Sequence, residues 1–137
     1  METILVTGGC GYIGSHTCIK LLENDYNLLL IDSLVNSSQD ILLRIKKILD
    51  LKNIAFENKI QFIKGDLRDK MWLDSVFKNY IKSKRPIKKV IHFAGLKSIF
   101  FSIKNPLEYW DSNVKSTLSL LSIMKENECN FLIFSSS

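Results

Sequence analysis

The chain has 137 residues, 46% hydrophobic and 24% charged, and this ordinary composition excludes a largely disordered or fibrous protein. The net charge of +5 is spread along the sequence, and its densest basic run, Lys82 to Lys89, has no interleaved aromatic residues. We interpret that run as a solvated turn and expect no nucleic-acid partner. We find no secretion signal and no long apolar stretch in the sequence, so we expect a cytoplasmic protein without a membrane span. The three cysteines have neither metal-site nor disulfide spacing, which agrees with a reducing compartment and predicts no bound metal.

Apolar runs and helical patterns alternate from the amino end. TILVTG predicts a first strand, and YIGSHTCIKLLEN predicts the helix that follows it. YNLLLID and KIQFIKGD predict the second and third strands. SSQDILLRIKKILDLK and DKMWLDSVFKNYIK place apolar residues at helical spacing after each of them.

The second half of the chain continues the same alternation. KKVIHFAG predicts a fourth strand, and NFLIF predicts a fifth. Between them lies the clearest helical pattern, with Asn105 as the predicted N-cap, Pro106 at the first helical position and Glu108 completing a capping box. The order predicts an α/β fold, a Rossmann-like doubly wound parallel sheet over residues 1–137 that is truncated after the fifth strand.

The glycine pattern of TGGCGYIGSH gives the strongest chemical signal. Gly8, Gly11 and Gly14 come directly after the first strand and open the first helix. Such glycines allow a tight turn, close approach of a pyrophosphate to the backbone, and close packing of helix and sheet. The pattern therefore predicts dinucleotide binding, and the alternative is a glycine-rich turn without a ligand.

Two aspartates follow predicted strands. Asp32 ends the second strand, where a carboxylate can accept hydrogen bonds from an adenosine ribose and repel a 2′-phosphate, so we expect NAD rather than NADP. Asp66 follows the third strand and could receive the adenine amino group. A capping or turn aspartate is the alternative at either position.

Several segments together resemble a known family. LVTGGCGYIGSHT, GDL, VIHFAGLKS, NPLEYWDSNV and FLIFSSS resemble, in order and spacing, the amino-terminal part of UDP-glucose 4-epimerases of the extended short-chain dehydrogenase/reductase group. The resemblance implies NAD-dependent interconversion of UDP-glucose and UDP-galactose by transient oxidation at C4, as in galactose metabolism. It also implies a UDP-sugar substrate and a homodimer when the protein is complete.

The resemblance also implies roles for individual residues. Contact with the cofactor is implied, in addition to the three glycines, for Tyr12, Ile13, Asp32, Asn36, Ser37, Asp66, Leu67, Phe93, Ala94, Gly95, Lys97 and Asn113. Ser137 matches the active-site serine that hydrogen-bonds the reacting 4-oxygen. Phe100 and Phe101 stand where the family usually has Gly-Glu, and two large aromatic side chains there could narrow the substrate side of the cleft.

We interpret two other candidate catalytic features, the Tyr80–Lys84 pattern and His92, as structural rather than catalytic. The only Y-x-x-x-K pattern, Tyr80 to Lys84, precedes the fourth strand and so lies toward the wrong edge of the sheet. His92 is interpreted as a packed strand residue. We therefore expect the catalytic Tyr and Lys to be missing, so that residues 1–137 alone are an inactive piece of the enzyme. The alternatives are a non-catalytic NAD-binding module and another nucleotide-sugar epimerase or dehydratase.

Overall fold

The computed structural model describes residues 1–35, 38 and 40–136. The strands are β1 (Thr3–Thr7), β2 (Asn27–Asp32), β3 (Ile60–Lys64), β4 (Ile87–His92) and β5 (Phe131–Phe134). All neighbouring strands pair in parallel, in the order β3-β2-β1-β4-β5. This confirms the predicted Rossmann-like sheet, because the chain starts at the centre and winds outward in both directions.

Helices connect the strands. They are α1 (Tyr12–Glu23), α2 (Asp40–Leu51), α3 (Lys70–Lys82), α4 (Ile99–Lys104), α5 (Pro106–Trp110) and α6 (Ser116–Glu126), with a π-helical turn at Asp111–Lys115 between α5 and α6. Among the described residues, no helix is long and apolar enough to cross a bilayer.

The sheet has a hydrophobic core on each face. Leu5 of β1 belongs to the core formed with α3 and α6, whereas its neighbours Ile4 and Val6 belong to the core formed with α1 and α2. Consecutive strand residues point to opposite faces, so a strand covered on both sides must be apolar at every position. This explains the continuous apolar run of Leu28 to Ile31 and confirms that helices cover both faces.

The segment after β4 differs from its prediction. A short helix, α4, precedes Asn105, and the long predicted helix is divided by the π-helical turn. Asn105 makes no side-chain capping hydrogen bond, so the predicted capping box is wrong. Its backbone N–H instead donates to the carbonyl oxygen of Phe101 at 2.8 Å, which closes the end of α4. Asn105 both ends α4 and precedes α5, and its backbone does not have the extended conformation that is typical of an N-cap residue.

Strand β5 pairs with β4 along one side and leaves apolar side chains in contact with solvent. Phe131, Ile133 and Phe134 are each about half exposed, at 50%, 48% and 56%. Within the described residues no strand pairs with the other side of β5. Unpaired backbone groups beside apolar side chains favour association between chains.

We expect the 137-residue chain to self-associate in a concentration-dependent way through this edge. Replacing Phe131 and Ile133 by lysine should reduce the association, because edge lysines oppose strand pairing. Sedimentation velocity would measure the association, with Leu43→Lys, at an exposed position of α2, as the control for an added surface charge. A wild-type chain that stays monomeric at all concentrations would contradict the prediction.

Candidate functional site

A cavity of about 390 Å³ lies at the carboxyl ends of the central strands. Its walls are the loops that follow β1, β2, β3 and β4, together with the start of α1 and residues at the π-helical turn and the start of α6. The lining residues are Gly8, Gly11, Tyr12, Ile13, Gly14, Ile31, Asp32, Ser33, Val35, Gly65, Asp66, Leu67, Arg68, Phe93, Ala94, Gly95, Leu96, Lys97, Ser112 and Ser116. Its position at the change of strand direction and its volume are typical of ligand sites in such sheets.

The glycine loop forms the floor of the cavity. Gly8 has a φ of +67°, and its N–H donates to the carbonyl oxygen of Ile31 at 2.8 Å. The Gly8 carbonyl then accepts the N–H of Gly11 at 3.1 Å, and α1 begins at the next residue. A Cβ on Gly14 would lie 2.3 Å from the Gly8 oxygen, so the first turn of α1 packs directly on the bend. A Cβ on Gly11 would have the same oxygen as its nearest neighbour, at 3.3 Å.

Asp32 joins the end of β2 to the glycine loop. One carboxylate oxygen accepts the N–H of Cys10 at 3.0 Å, and the other accepts the N–H of Leu34 at 2.8 Å. The residue is only 9% exposed, yet it lines the cavity. The carboxylate therefore stabilises both loops that border this part of the site.

Arg68 bridges two walls of the cavity. Its Nη2 lies 2.6 Å from Oδ2 of Asp66, and its Nη1 lies 2.5 Å from Oδ2 of Asp111 in the π-helical turn. Hydrogen bonds from Arg68 hold the pKa of the Asp66 carboxyl below its usual value, although burial opposes this. The same bonds raise the pKa of the guanidinium, which stays positively charged. The bridge fixes the loop after β3 against the segment that leads into α6.

Asn113 holds the loop after β4. Its Oδ1 accepts the N–H of Leu96 at 2.7 Å, and its Nδ2 donates to the Leu96 carbonyl at 2.8 Å. Gly95, with a φ of +154°, lies so close that an added Cβ would be 3.2 Å from Asn113 Oδ1. This paired contact positions Leu96 and Lys97, which both line the cavity.

The structure brings most of the predicted site residues together. The following line the cavity: Gly8, Gly11, Tyr12, Ile13, Gly14, Asp32, Asp66, Leu67, Phe93, Ala94, Gly95 and Lys97. Asn113 lies behind Leu96, outside the lining set. Asn36, Ser37 and Ser137 lie outside the described residues. The ligand contacts of all these residues stay predictions.

Other residues have places that the sequence did not reveal. Arg68, Ser112 and Ser116 line the cavity, and the sequence carries no signal that would bring them to one site. Phe100 and Phe101 are 60% and 56% exposed and are not among the described lining residues of this cavity, and their effect on the substrate side of the cleft stays a prediction.

Tyr80 does not line the cavity. It is buried, and its hydroxyl donates to Oε1 of Gln61 on β3. Together with its position in the core beside α6, this agrees with its interpretation as a structural residue. Among the described residues, no cluster of three or more His, Cys, Asp or Glu side chains could hold a metal ion.

His92, at the end of β4, is 1% exposed, which confirms the interpretation of a packed strand residue. Burial lowers the pKa of its imidazole to about 4, and the positive charge of Lys97 acts in the same direction. Thr7 Oγ1 and Thr117 Oγ1 lie 2.5 and 3.0 Å from its two ring nitrogens. The ring is therefore neutral near pH 7.

Comparison with known proteins shows which proteins this chain resembles. A family model described as GDP-mannose 4,6 dehydratase matches residues 5–137. The bifunctional protein GAL10 of Pachysolen tannophilus is 47% identical over 137 residues, which are 100% of this chain and 18% of that protein. The UDP-glucose 4-epimerase of Yersinia pestis is 44% identical over 134 residues, 98% of this chain and 36% of that protein.

Solved structures show the same likeness. The UDP-glucose-4-epimerase from Stenotrophomonas maltophila, with bound NAD and formylated UDP-arabinopyranose, has a TM-score of 0.86 and 36% identity, over 100% of this chain and 37% of that one. The UDP-glucose 4-epimerase from Bifidobacterium longum, in complex with NAD+ and UDP, has a TM-score of 0.84 and 38% identity. That match covers 98% of this chain and 37% of the other. The chain thus spans less than two-fifths of the length of these proteins.

We expect Gly14→Ala to destabilise the chain by about 1–3 kcal/mol, the usual cost of overpacking, because the new Cβ would meet the Gly8 carbonyl oxygen. Helix propensity alone predicts the opposite sign, a gain of about 1 kcal/mol for Gly to Ala within a helix. Chemical denaturation would measure the free energy of unfolding. The control is His16→Ala, an exposed position in the same turn of α1, which should be neutral or slightly stabilising. Stabilisation by Gly14→Ala would show that the loop is not closely packed.

We expect the stability of the chain to fall as the pH drops from 6.5 to about 4. The unfolded histidine takes a proton near pH 6.5, whereas His92 in the fold takes one only near pH 4, so the unfolded state binds more protons between these values. The loss approaches about 3 kcal/mol, and below both pKa values it stops growing. Carboxyls with lowered pKa values, such as Asp66, lose their contribution only below about pH 4.

Urea denaturation at a series of pH values would measure this dependence. His92→Gln should flatten the dependence between pH 6.5 and 4.5. His16→Gln, which removes an exposed histidine, should leave it in place. Equal pH dependence in wild type and His92→Gln would contradict the assignment.

Proposed function

The chain belongs to the GDP-mannose 4,6 dehydratase family, and we propose that it binds NAD as the cofactor-binding part of a UDP-glucose 4-epimerase. The observation that carries the proposal is the packed glycine bend, which meets the carboxylate of Asp32 in one cavity. The named relatives and the two neighbours with bound NAD or NAD+ support it.

The glycine loop fits a cofactor diphosphate. Because Gly11 has no side chain, the backbone at the start of α1 can be approached closely from the cavity. The first N–H groups of a helix have no intrahelical acceptor, and the positive end of the helix dipole lies beside them. We assign the pyrophosphate of NAD to this place, with Tyr12 and Ile13 beside it.

The acidic residues fit the adenosine half. Asp32 at the end of β2 is assigned to the ribose hydroxyls, and the resemblance assigns Asn36 and Ser37 to the same part of the cofactor. Asp66 and Leu67 are assigned to the adenine. The guanidinium of Arg68 is bonded to Asp66 and Asp111, so it is already matched by carboxylates. This favours NAD over NADP, whose 2′-phosphate needs a cationic partner.

The loop after β4 fits the nicotinamide half. Phe93, Ala94, Gly95 and Lys97 are assigned to that half of the cofactor, and Asn113 is assigned to the same region. When bound, NAD supplies the acceptor and donor of a hydride for the transient oxidation at C4 of the sugar. The residues of this chain bind and orient it, and Ser137 is assigned to a hydrogen bond with the reacting 4-oxygen.

The nucleotide sugar is the least constrained part of the proposal. We assign UDP-glucose and UDP-galactose because of the named relatives, which include a UDP-glucose 4-epimerase from Oryza sativa that is 42% identical. A second candidate is another UDP-sugar, since a 39% identical relative from Pisum sativum is named for both UDP-glucose and UDP-xylose. The catalytic Tyr and Lys are assigned to a part of the enzyme outside residues 1–137.

We also propose a cytoplasmic location and a homodimer for the complete enzyme. The three cysteines, Cys10, Cys18 and Cys129, are buried and unpaired, as is usual in a reducing compartment. The homodimer is assigned by the resemblance.

We expect Asp32→Ala to lower the affinity of the chain for NAD by about 10- to 100-fold, the worth of hydrogen bonds to a charged group. The substitution should also narrow the preference for NAD over NADP, because the charge that repels the 2′-phosphate is removed. Isothermal titration with both nucleotides would measure the two effects.

The control for this titration is Asp69→Ala. The Asp69 carboxylate accepts the N–H of Trp72 at the start of α3, and Asp69 is not among the residues that line the cavity. Replacing it by alanine should lower the free energy of unfolding by about 1 kcal/mol and leave the cavity unchanged. This variant should bind NAD like the wild type. Equal NAD affinity in wild type and Asp32→Ala would remove Asp32 from its role, and a wild type without NAD affinity would overturn the proposed function.

A further inference from the structure

His92 lies where three elements of the fold meet. It ends β4, its Nδ1 is 2.5 Å from Thr7 Oγ1 at the end of β1, and its Nε2 is 3.0 Å from Thr117 Oγ1 on α6. The ring is 1% exposed, and the ring of Phe134 on β5 packs against it with centroids 5.5 Å apart. Such a ring is screened from solvent and held by polar contacts on both nitrogens.

The neighbouring hydrogen bonds determine which nitrogen carries the proton. Thr117 Oγ1 donates its hydrogen to the carbonyl oxygen of Asn113 at 2.8 Å. A hydroxyl has one hydrogen, so toward His92 this oxygen can only accept, and Nε2 must be protonated. In the neutral ring Nδ1 is then an acceptor, and the hydroxyl of Thr7 donates to it.

The same polar atoms reach the loop that lines the cavity. Thr7 Oγ1 accepts the N–H of Ala94 at 3.3 Å, while its own hydrogen goes to His92. At the other end, Asn113 holds both the N–H and the carbonyl of Leu96. The hydrogen bonds therefore run in one direction from Ala94 through Thr7, His92 and Thr117 to Asn113. We call Thr7, His92, Thr117 and Asn113 the polar relay.

The sheet already pairs Thr7 with His92, and the relay adds a link from these strand ends to α6. Ala94 and Leu96 line the cavity, and Thr7 immediately precedes Gly8 of the glycine loop. Asn113 lies in the π-helical turn, where the regular hydrogen bonding of the long helix is interrupted. A rigid ring with an acceptor on one side and a donor on the other spans the distance between strand β1 and helix α6.

We propose that His92, as the neutral ring protonated on Nε2, is a positioning residue that sets the loop of residues 93–97 against the π-helical turn. It does so through Thr7 and Thr117, and it touches neither cofactor nor substrate. The consequence for NAD rests on the function proposed above, because this loop is assigned to the nicotinamide half. The arrangement of the loop itself does not depend on that assignment.

The first experiment observes the ring directly. Nitrogen NMR of the histidine-labelled chain near neutral pH distinguishes the two neutral tautomers and the cation. We expect His92 to show a protonated Nε2 and an unprotonated Nδ1. Finding the cation, or the tautomer protonated on Nδ1, would overturn the proposal.

The second experiment removes one bond of the relay without emptying the core. Thr117→Val keeps the shape of the side chain but cannot accept from Nε2 or donate to Asn113. We expect amide hydrogen exchange at Leu96 to become about fivefold to tenfold faster in the absence of NAD, the equivalent of one lost hydrogen bond. The NAD affinity should fall by a similar factor.

The matched control is Thr17→Val on α1. Thr17 Oγ1 donates to the carbonyl oxygen of Ile13, four residues earlier, as Thr117 does to Asn113, but Thr17 lies on α1 and is not a member of the polar relay. Thr17→Val should change neither Leu96 exchange nor NAD affinity. Unchanged Leu96 exchange in Thr117→Val would overturn the relay.

Conservative replacement of the histidine supplies the third test. His92→Gln retains one amide donor and should keep part of the Leu96 protection, whereas His92→Leu should lose it all. Equal loss of protection in both variants would overturn a role through hydrogen bonds.

If the wild type shows the expected tautomer and exchange but does not bind NAD, the function proposed above fails while the positioning role of His92 stands.

Discussion

The contact between Gly8 and the residues after β4 is the constraint on which the rest of the site depends. A Cβ on Gly8 would lie 2.8 Å from the nitrogen of Ala94 and 2.9 Å from the carbonyl carbon of Phe93, and its φ of +67° is strained for other residues. The ends of β1 and β4 can therefore meet backbone to backbone. Gly14 allows a second close backbone contact, between the first turn of α1 and the Gly8 carbonyl. Gly11 is less crowded, because an added Cβ there would meet only the Gly8 oxygen, at 3.3 Å.

The polar groups around the cavity stabilise its walls through contacts within the protein itself. Asp32 holds the glycine loop through Cys10, Arg68 holds the loop after β3 to the π-helical turn, and Asn113 holds Leu96. Each of these contacts joins segments that are distant in sequence. Binding energy is then not spent on ordering the walls, which is the general advantage of a preorganised site. A substitution at Asp32 would remove two of these wall contacts, the bonds to the N–H groups of Cys10 and Leu34.

Local patterns predicted the parts of the structure that local physics determines. The apolar run at Leu28 to Ile31 predicted a strand covered on both faces, and the spacing of the three glycines predicted the bend and its helix. The pairing of Arg68 with Asp111 joins residues 43 positions apart and could not be read from spacing. The same holds for the π-helical turn, where tertiary contacts of Asn113 override the helical periodicity around it. The capping box at Asn105 failed because a second helix ends at that residue.

The charge of the chain and the charge of the cavity are separate quantities. The described lining has two acidic residues, Asp32 and Asp66, and two basic residues, Arg68 and Lys97, so it is balanced. The basic run begins at Lys82, the last residue of α3, and extends into the amino end of β4, at the edge of the sheet opposite the cavity. The net charge of +5 therefore lies largely outside the cavity and is screened from it by salt. In the function proposed above, the anionic diphosphate is therefore stabilised mainly by the backbone N–H groups and the dipole of α1. The loop that presents them depends on glycine packing, so recognition and folding rest on the same backbone.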